Sequence, residues 1–204
     1  KAGPAPTAAS SAPAKEFDLE GELKREATSL TEQSVEGADH GWKTKVLAVA
    51  APKVSMVENV ALVEIPIGSD AAVRCQVFSE ALDPAGTLFG VFKASSAKVE
   101  YRQIQPTGMQ IFGNSPAAFV DALYVTDAPG GKAAGGLKLA VLSREDHGLL
   151  CIHDELGFRE TFQKVSAAFF GRFQPATPAK SNATYREVTA AKLDAVPVGF
   201  SVTE

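Results

Sequence analysis

The residues best equipped for chemistry fall in one short run, "GLLCIHDELGFRETF", Gly148 to Phe162, where Cys151, His153, Asp154 and Glu155 occupy five consecutive positions with Ile152. A thiol beside an imidazole is the pair that a cysteine nucleophile requires, with an acid to orient the base. The spacing argues against it. Cys151 and His153 are two apart in an apolar segment, so on a strand they share one face with side chains about 6 to 7 Å apart, beyond hydrogen-bond reach. Asp154 stands where a helix N-cap belongs, and Glu155 falls in the first turn, where the helix dipole favours negative charge. The run reads as a strand end feeding a capped helix. No catalytic residue is assigned, and His153 and Asp154 are kept as candidate site residues.

Cys75, Cys151, His147 and His153 are the right types for a metal, but they lack C-x-x-C or H-x-x-x-H spacing, so neither a metal nor a cofactor is expected. Cys75 and Cys151 are the only cysteines. In an exported chain two such residues pair, and a Cys75–Cys151 disulfide is expected; in the cytoplasm they would be small buried hydrophobes. "GNSPA" around Ser115 lacks the second glycine of a hydrolase elbow. "PGGKAAGG" lacks both the leading glycine of a phosphate loop and the hydroxyl residue after its lysine.

These groups must be positioned by a core, and 204 residues at 45% hydrophobic are enough to build one. Twenty basic against 24 acidic residues, with no basic run interleaved with aromatics, excludes a nucleic-acid partner. The longest apolar run, "VLAVAA", is far below the roughly 20 residues of a transmembrane helix.

Residues 1–15, "KAGPAPTAASSAPAK", have the composition of a disordered linker, and they resemble the tether that follows the lipidated cysteine of bacterial envelope lipoproteins. Residues 16–40 hold an amphipathic helix, about Glu16 to Glu32, and a polar linker. Residues 41–173 form the core domain. "WKTKVLAVAAPKVSMVENVALVEIPIG" predicts two strands joined at Pro52. "SDAAVRCQVFSEAL" carries both strand and helix periodicity, with Val73, Cys75 and Val77 favouring strand. Asp83 and Pro84 open a short helix. Further strands follow in "KVEYRQIQ", "GMQIFG", "AAFVDALYVT", "GGLKLAVLSRE" and "GLLCIH", with "APGGKAAGG" as a flexible loop. A long helix from about Glu155 to Phe173 closes the domain, spacing Phe158, Phe162, Val165, Phe169 and Phe173 for one buried face. Residues 174–184 read as a linker-like loop, and 185–204 as an edge hairpin or tail.

The expected fold is α+β: an antiparallel sheet with a short helix and a long closing helix packed on one face, and a flexible N-terminal arm. From Trp42 to Phe173 this layout resembles that of small α+β binding proteins. The expected function is that of a non-enzymatic accessory or binding protein of the bacterial cell envelope, with another envelope protein as partner. The alternative is a hydrolase or thiol enzyme using Cys151 and His153. Export to the periplasm or a membrane tether is the expected location, with the cytoplasm as alternative.

Overall fold

The computed structural model describes residues 18–37, 41–96, 101–112, 115–128, 131–144 and 146–175; the expected N-terminal arm, the residues beyond Pro175 and the hairpin or tail over 185–204 lie outside them. The chain is mostly β. Among the described residues, three helices, α1 (Leu19–Leu23), α2 (Pro84–Ser96) and α3 (Arg159–Gly171), accompany ten strands. These are β1 (Thr31–Gly37), β2 (Trp42–Ala48), β3 (Lys53–Val57), β4 (Val60–Pro66), β5 (Ala72–Phe78), β6 (Tyr101–Phe112), β7 (Ser115–Ala128), β8 (Gly131–Arg144), β9 (His147–His153) and β10 (Gln174–Pro175). They form a three-stranded sheet, β1-β2-β10, and a seven-stranded sheet, β3-β4-β5-β9-β8-β7-β6, and every pairing is antiparallel.

The alternating apolar residues of the large sheet divide between two cores. Val63, Val73, Cys75, Cys151, Ala140 and Phe119 face the principal core, which also holds Phe162, Val165, Phe169 and Phe170 of α3 and Trp42 and Val46 of β2. Leu137, Leu139, Val120 and Ala122 alternate to the opposite face, where Phe92 of α2 covers them. Burial on both faces explains why β7 to β9 read as near-continuous apolar runs.

This arrangement overturns the expected α+β fold with both helices on one face. Helices α2 and α3 lie on opposite faces of the large sheet, a second sheet packs on α3, and among the described residues no helix exceeds 13 residues. The closing helix is shorter than its apolar spacing suggests because Gly157 and Phe158 hold positive φ angles of 72° and 54°, which no α-helix can contain. Phe158 and Phe173 keep the helical spacing and are buried, but they flank the helix.

The helix expected over Glu16–Glu32 is also cut back, to the five residues of α1. Thr31–Gly37, with Thr31 and the buried Val35, instead pairs residue for residue with Trp42–Ala48. Gly37 faces Trp42 in that ladder, and the indole occupies the space a Cβ would need. The segment expected as two strands around Pro52 makes three, because Glu58 at φ 55° and Asn59 close a two-residue hairpin between β3 and β4. The stretch expected as a glycine-rich loop contributes Gly131–Gly136 to β8, opposite Leu123–Ala128. "KVEYRQIQ" and "GMQIFG" merge into β6, whose ladder shifts register between Tyr101 and Gln103 and again between Pro106 and Met109. The ambiguous segment around Cys75 is the strand β5, and α2 starts at Pro84 as expected. Among the described residues, no helix is long and apolar enough to cross a membrane.

Candidate functional site

Strand register sets two neighbouring rows on the α3 face of the large sheet. The first is apolar. Phe119 faces Ala140, Ala140 faces Cys151, and Cys151 faces Cys75. The two cysteines are joined as expected, with sulfurs 2.04 Å apart, Cα atoms 4.0 Å apart and no exposed surface. Cys151 therefore has no thiolate to offer, and the thiol-enzyme alternative lacks its nucleophile. The four residues weighed as a metal set are not brought together: both cysteines are spent on the bond, and His147 packs against Phe173 at the far end of β9 from His153.

The second row, two residues along each strand, is polar. Asp121 faces Lys138, and Lys138 faces His153. His153 is fully buried, its ring edge-on to Phe158 at 5.5 Å. Its Nδ1 lies 3.0 Å from the carbonyl oxygen of Ala72. A carbonyl only accepts, so Nδ1 carries the proton and Nε2 presents a lone pair, which has no hydrogen-bond partner among the described residues. Burial pushes the His153 pKa below its ordinary value; the Ala72 carbonyl opposes the shift and the Lys138 charge adds to it.

Lys138 is 4% exposed, and its Nζ donates to the carbonyl oxygen of Glu155 at 2.8 Å. Burial lowers its pKa, against the opposing charge of Asp121. Asp121 in turn holds Arg159, with Nε 3.3 Å from Oδ2. Together with Leu23, Leu123 and Leu156 these groups line a cavity of about 260 Å³.

The roof of the cavity is the loop between β9 and α3, held from two sides. Beneath it Gly136 leaves room for the Glu155 backbone, where any Cβ would collide with the carbonyl. Above it Gly157 meets the backbone of Glu22 and Arg25 just as closely. The Phe158 amide donates to the Arg25 carbonyl at 2.5 Å, and the Arg25 guanidinium lies 4.9 Å above the Phe158 ring.

The cap expected from Asp154 comes from elsewhere. Helix α3 begins five residues later, at Arg159, and its N-cap, Phe158, has no side chain able to accept. Glu26 takes that part: its carboxylate accepts from the Glu160 amide at 2.9 Å, the Thr161 amide at 2.8 Å and the Thr161 hydroxyl at 2.5 Å. Asp154 is exposed and pairs with Arg74 at 2.6 Å, outside the cavity. His153 thus belongs to the polar row and Asp154 does not. Lys138, Asp121 and Arg159 were missed, although "GGLKLAVL" and "AAFVDALYV" each carry a lone charge on an otherwise apolar strand.

No family model matches the chain, and no curated protein sequence does. A solved structure from Bacteroides thetaiotaomicron superposes with a TM-score of 0.39 at 10% identity, over 71% of this chain and 47% of that one. The chain thus spans less than half the length of that protein.

Proposed function

We propose that the chain is a non-enzymatic accessory or binding protein of the bacterial cell envelope, exported to the periplasm or tethered to a membrane by its N-terminal segment, with another envelope protein as partner. The Cys75–Cys151 bond carries this reading. Disulfides persist in oxidising compartments, and this one joins facing positions in the middle of the large sheet, where it belongs to the fold. The composition of residues 1–15 supports a tether.

Strand β3 supports binding. It ends the large sheet, all five of its residues are exposed, and Val54, Met56 and Val57 present apolar side chains to solvent. An edge of this kind can accept a strand from a partner, main chain to main chain.

A photoreactive residue in place of Met56, introduced into the chain in its native cells, tests the reading. The expected result is a cross-link from β3 to one envelope protein in the membrane fraction, absent when the same residue replaces exposed Lys164. Recovery of the chain from the cytoplasm with both cysteines reduced would overturn it.

A further inference from the structure

The Nε2 lone pair of His153 is sealed from solvent with no hydrogen-bond partner among the described residues, while Nδ1 donates to the Ala72 carbonyl. A neutral ring leaves one acceptor unused there. A protonated ring would bury a charge and a second N–H with nothing to receive it, which costs far more. The charged groups that act on the ring are Lys138, facing it from β8, Arg74 of β5 and Asp154, which is exposed and held by Arg74. Asp121, Glu26, Glu155 and Arg159 act on Lys138.

Phe158 packs against the imidazole, the two rings nearly perpendicular with centroids 5.5 Å apart. Phe158 is itself pinned by the N-terminal segment: its amide donates to the Arg25 carbonyl at 2.5 Å, and the Arg25 guanidinium lies across its ring. Beside it the Ala27 amide donates to the Thr161 hydroxyl at 2.9 Å, and the Glu26 carboxylate holds the Glu160 and Thr161 amides. Residues 22–27 thus form a strap across the start of α3, with Gly157 tight against the backbone of Glu22 and Arg25. Phe158 holds a φ of 54°, disfavoured for an aromatic residue, so the loop under the strap is held in place and not relaxed.

We propose that His153 makes this strap an acid-sensitive latch: protonation at Nε2 displaces Phe158 and frees residues 22–27 from α3, with both sheets and the disulfide intact. In the open form water reaches the ring, which takes up a proton at its ordinary pKa of about 6.5. The closed form does so only at lower pH, chiefly because burial disfavours the charge. Opening therefore becomes more favourable as pH falls below about 6.5, by up to about tenfold per pH unit, until the closed-form pKa is reached. The latch goes beyond the envelope-partner reading and does not depend on it, since the strap responds to pH whether or not a partner binds.

Hydrogen exchange of the full chain at pH 7.5 and pH 5.5, expressed as protection factors so that the intrinsic pH dependence of exchange cancels, tests the latch. Protection at the amides of Ala27, Phe158, Glu160 and Thr161 is expected to fall together by about three- to tenfold, tenfold being about the ceiling for one such group over that range. At both pH values it should stay below that of Val141 and Leu142, which are paired on both sides in β8, so that the opening is local. His153→Gln, which cannot take up the proton, should cut the fall to less than about twofold. Should that variant fail to fold, the ring nitrogen resonances of the unaltered chain decide: a neutral Nδ1–H ring is expected at pH 6, and an imidazolium there would overturn the latch. So would unchanged protection between the two pH values, an equal fall in folded His153→Gln, or strap amides as well protected as Val141 and Leu142.

Discussion

Two rows of side chains lie side by side on one face of one sheet, and they are built in opposite ways. In the row through Cys151 every member is apolar or cross-linked, and the covalent bond and the α3 phenylalanines close it completely. In the row through His153, one strand pleat away, an acid, a lysine and an imidazole stand under a loop, and a cavity remains beside them. The difference shows where this fold spends stability and where it keeps polar groups in reserve. Completed packing fixes the sheet order, and the polar row lies at the end of the sheet where the N-terminal segment seals the loop.

The largest expected effect belongs to the apolar row. Replacing both Cys75 and Cys151 with alanine opens a loop of 76 residues in the unfolded chain and should cost up to about 4 to 5 kcal/mol. Denaturant melts with and without reductant check this; a loss below about 1 kcal/mol would mean that the bond adds little to the closed row. Phe162→Ala, which empties a buried position in the same core, should cost about 3 to 5 kcal/mol in the same melts.

The polar row answers more gently. Glu26→Ala removes the three hydrogen bonds that start α3 and should cost about 1 to 2 kcal/mol, with hydrogen exchange fastest at Glu160 and Thr161. Protection unchanged at those two amides would show that the roof does not depend on the N-terminal segment.

The smallest effect is a pH dependence. His153 has a lowered pKa in the folded chain, so below the unfolded value of about 6.5 the unfolded state binds a proton that the folded state refuses. Its contribution to stability is full above that pH and is lost as pH falls toward the folded pKa. His153→Gln should therefore narrow the gap between melting temperatures at pH 7 and pH 5; an unchanged gap would remove His153 from the account of the row.

Much of the apolar row was legible in the sequence. Val73, Cys75 and Val77 alternate as strand residues do, two cysteines suggest one bond, and the phenylalanines near the end of the domain are buried as their spacing predicts. The polar row was not, because its members come from three strands, and only the ladder register shows that Asp121, Lys138 and His153 face one another. The cap on α3 is further out of reach. Glu26 lies 134 residues from Glu160, while Asp154 offered a local substitute that positive φ angles at Gly157 and Phe158 rule out. Helical spacing misled twice: over Glu16–Glu32, where the helix ends at Leu23 and pairing with β2 claims Thr31 and Glu32, and at the two phenylalanines that flank α3.

The contrast between the rows, and the proposed envelope location, rest on Cys75 and Cys151 being bonded in the protein as the cell makes it. Chain isolated from native cells under acid quench, then unfolded without reductant and titrated for thiols, measures this directly. The account predicts no free thiol per chain and two after reduction. Two free thiols before reduction would contradict it, leaving the apolar row open and Cys151 a thiol beside His153.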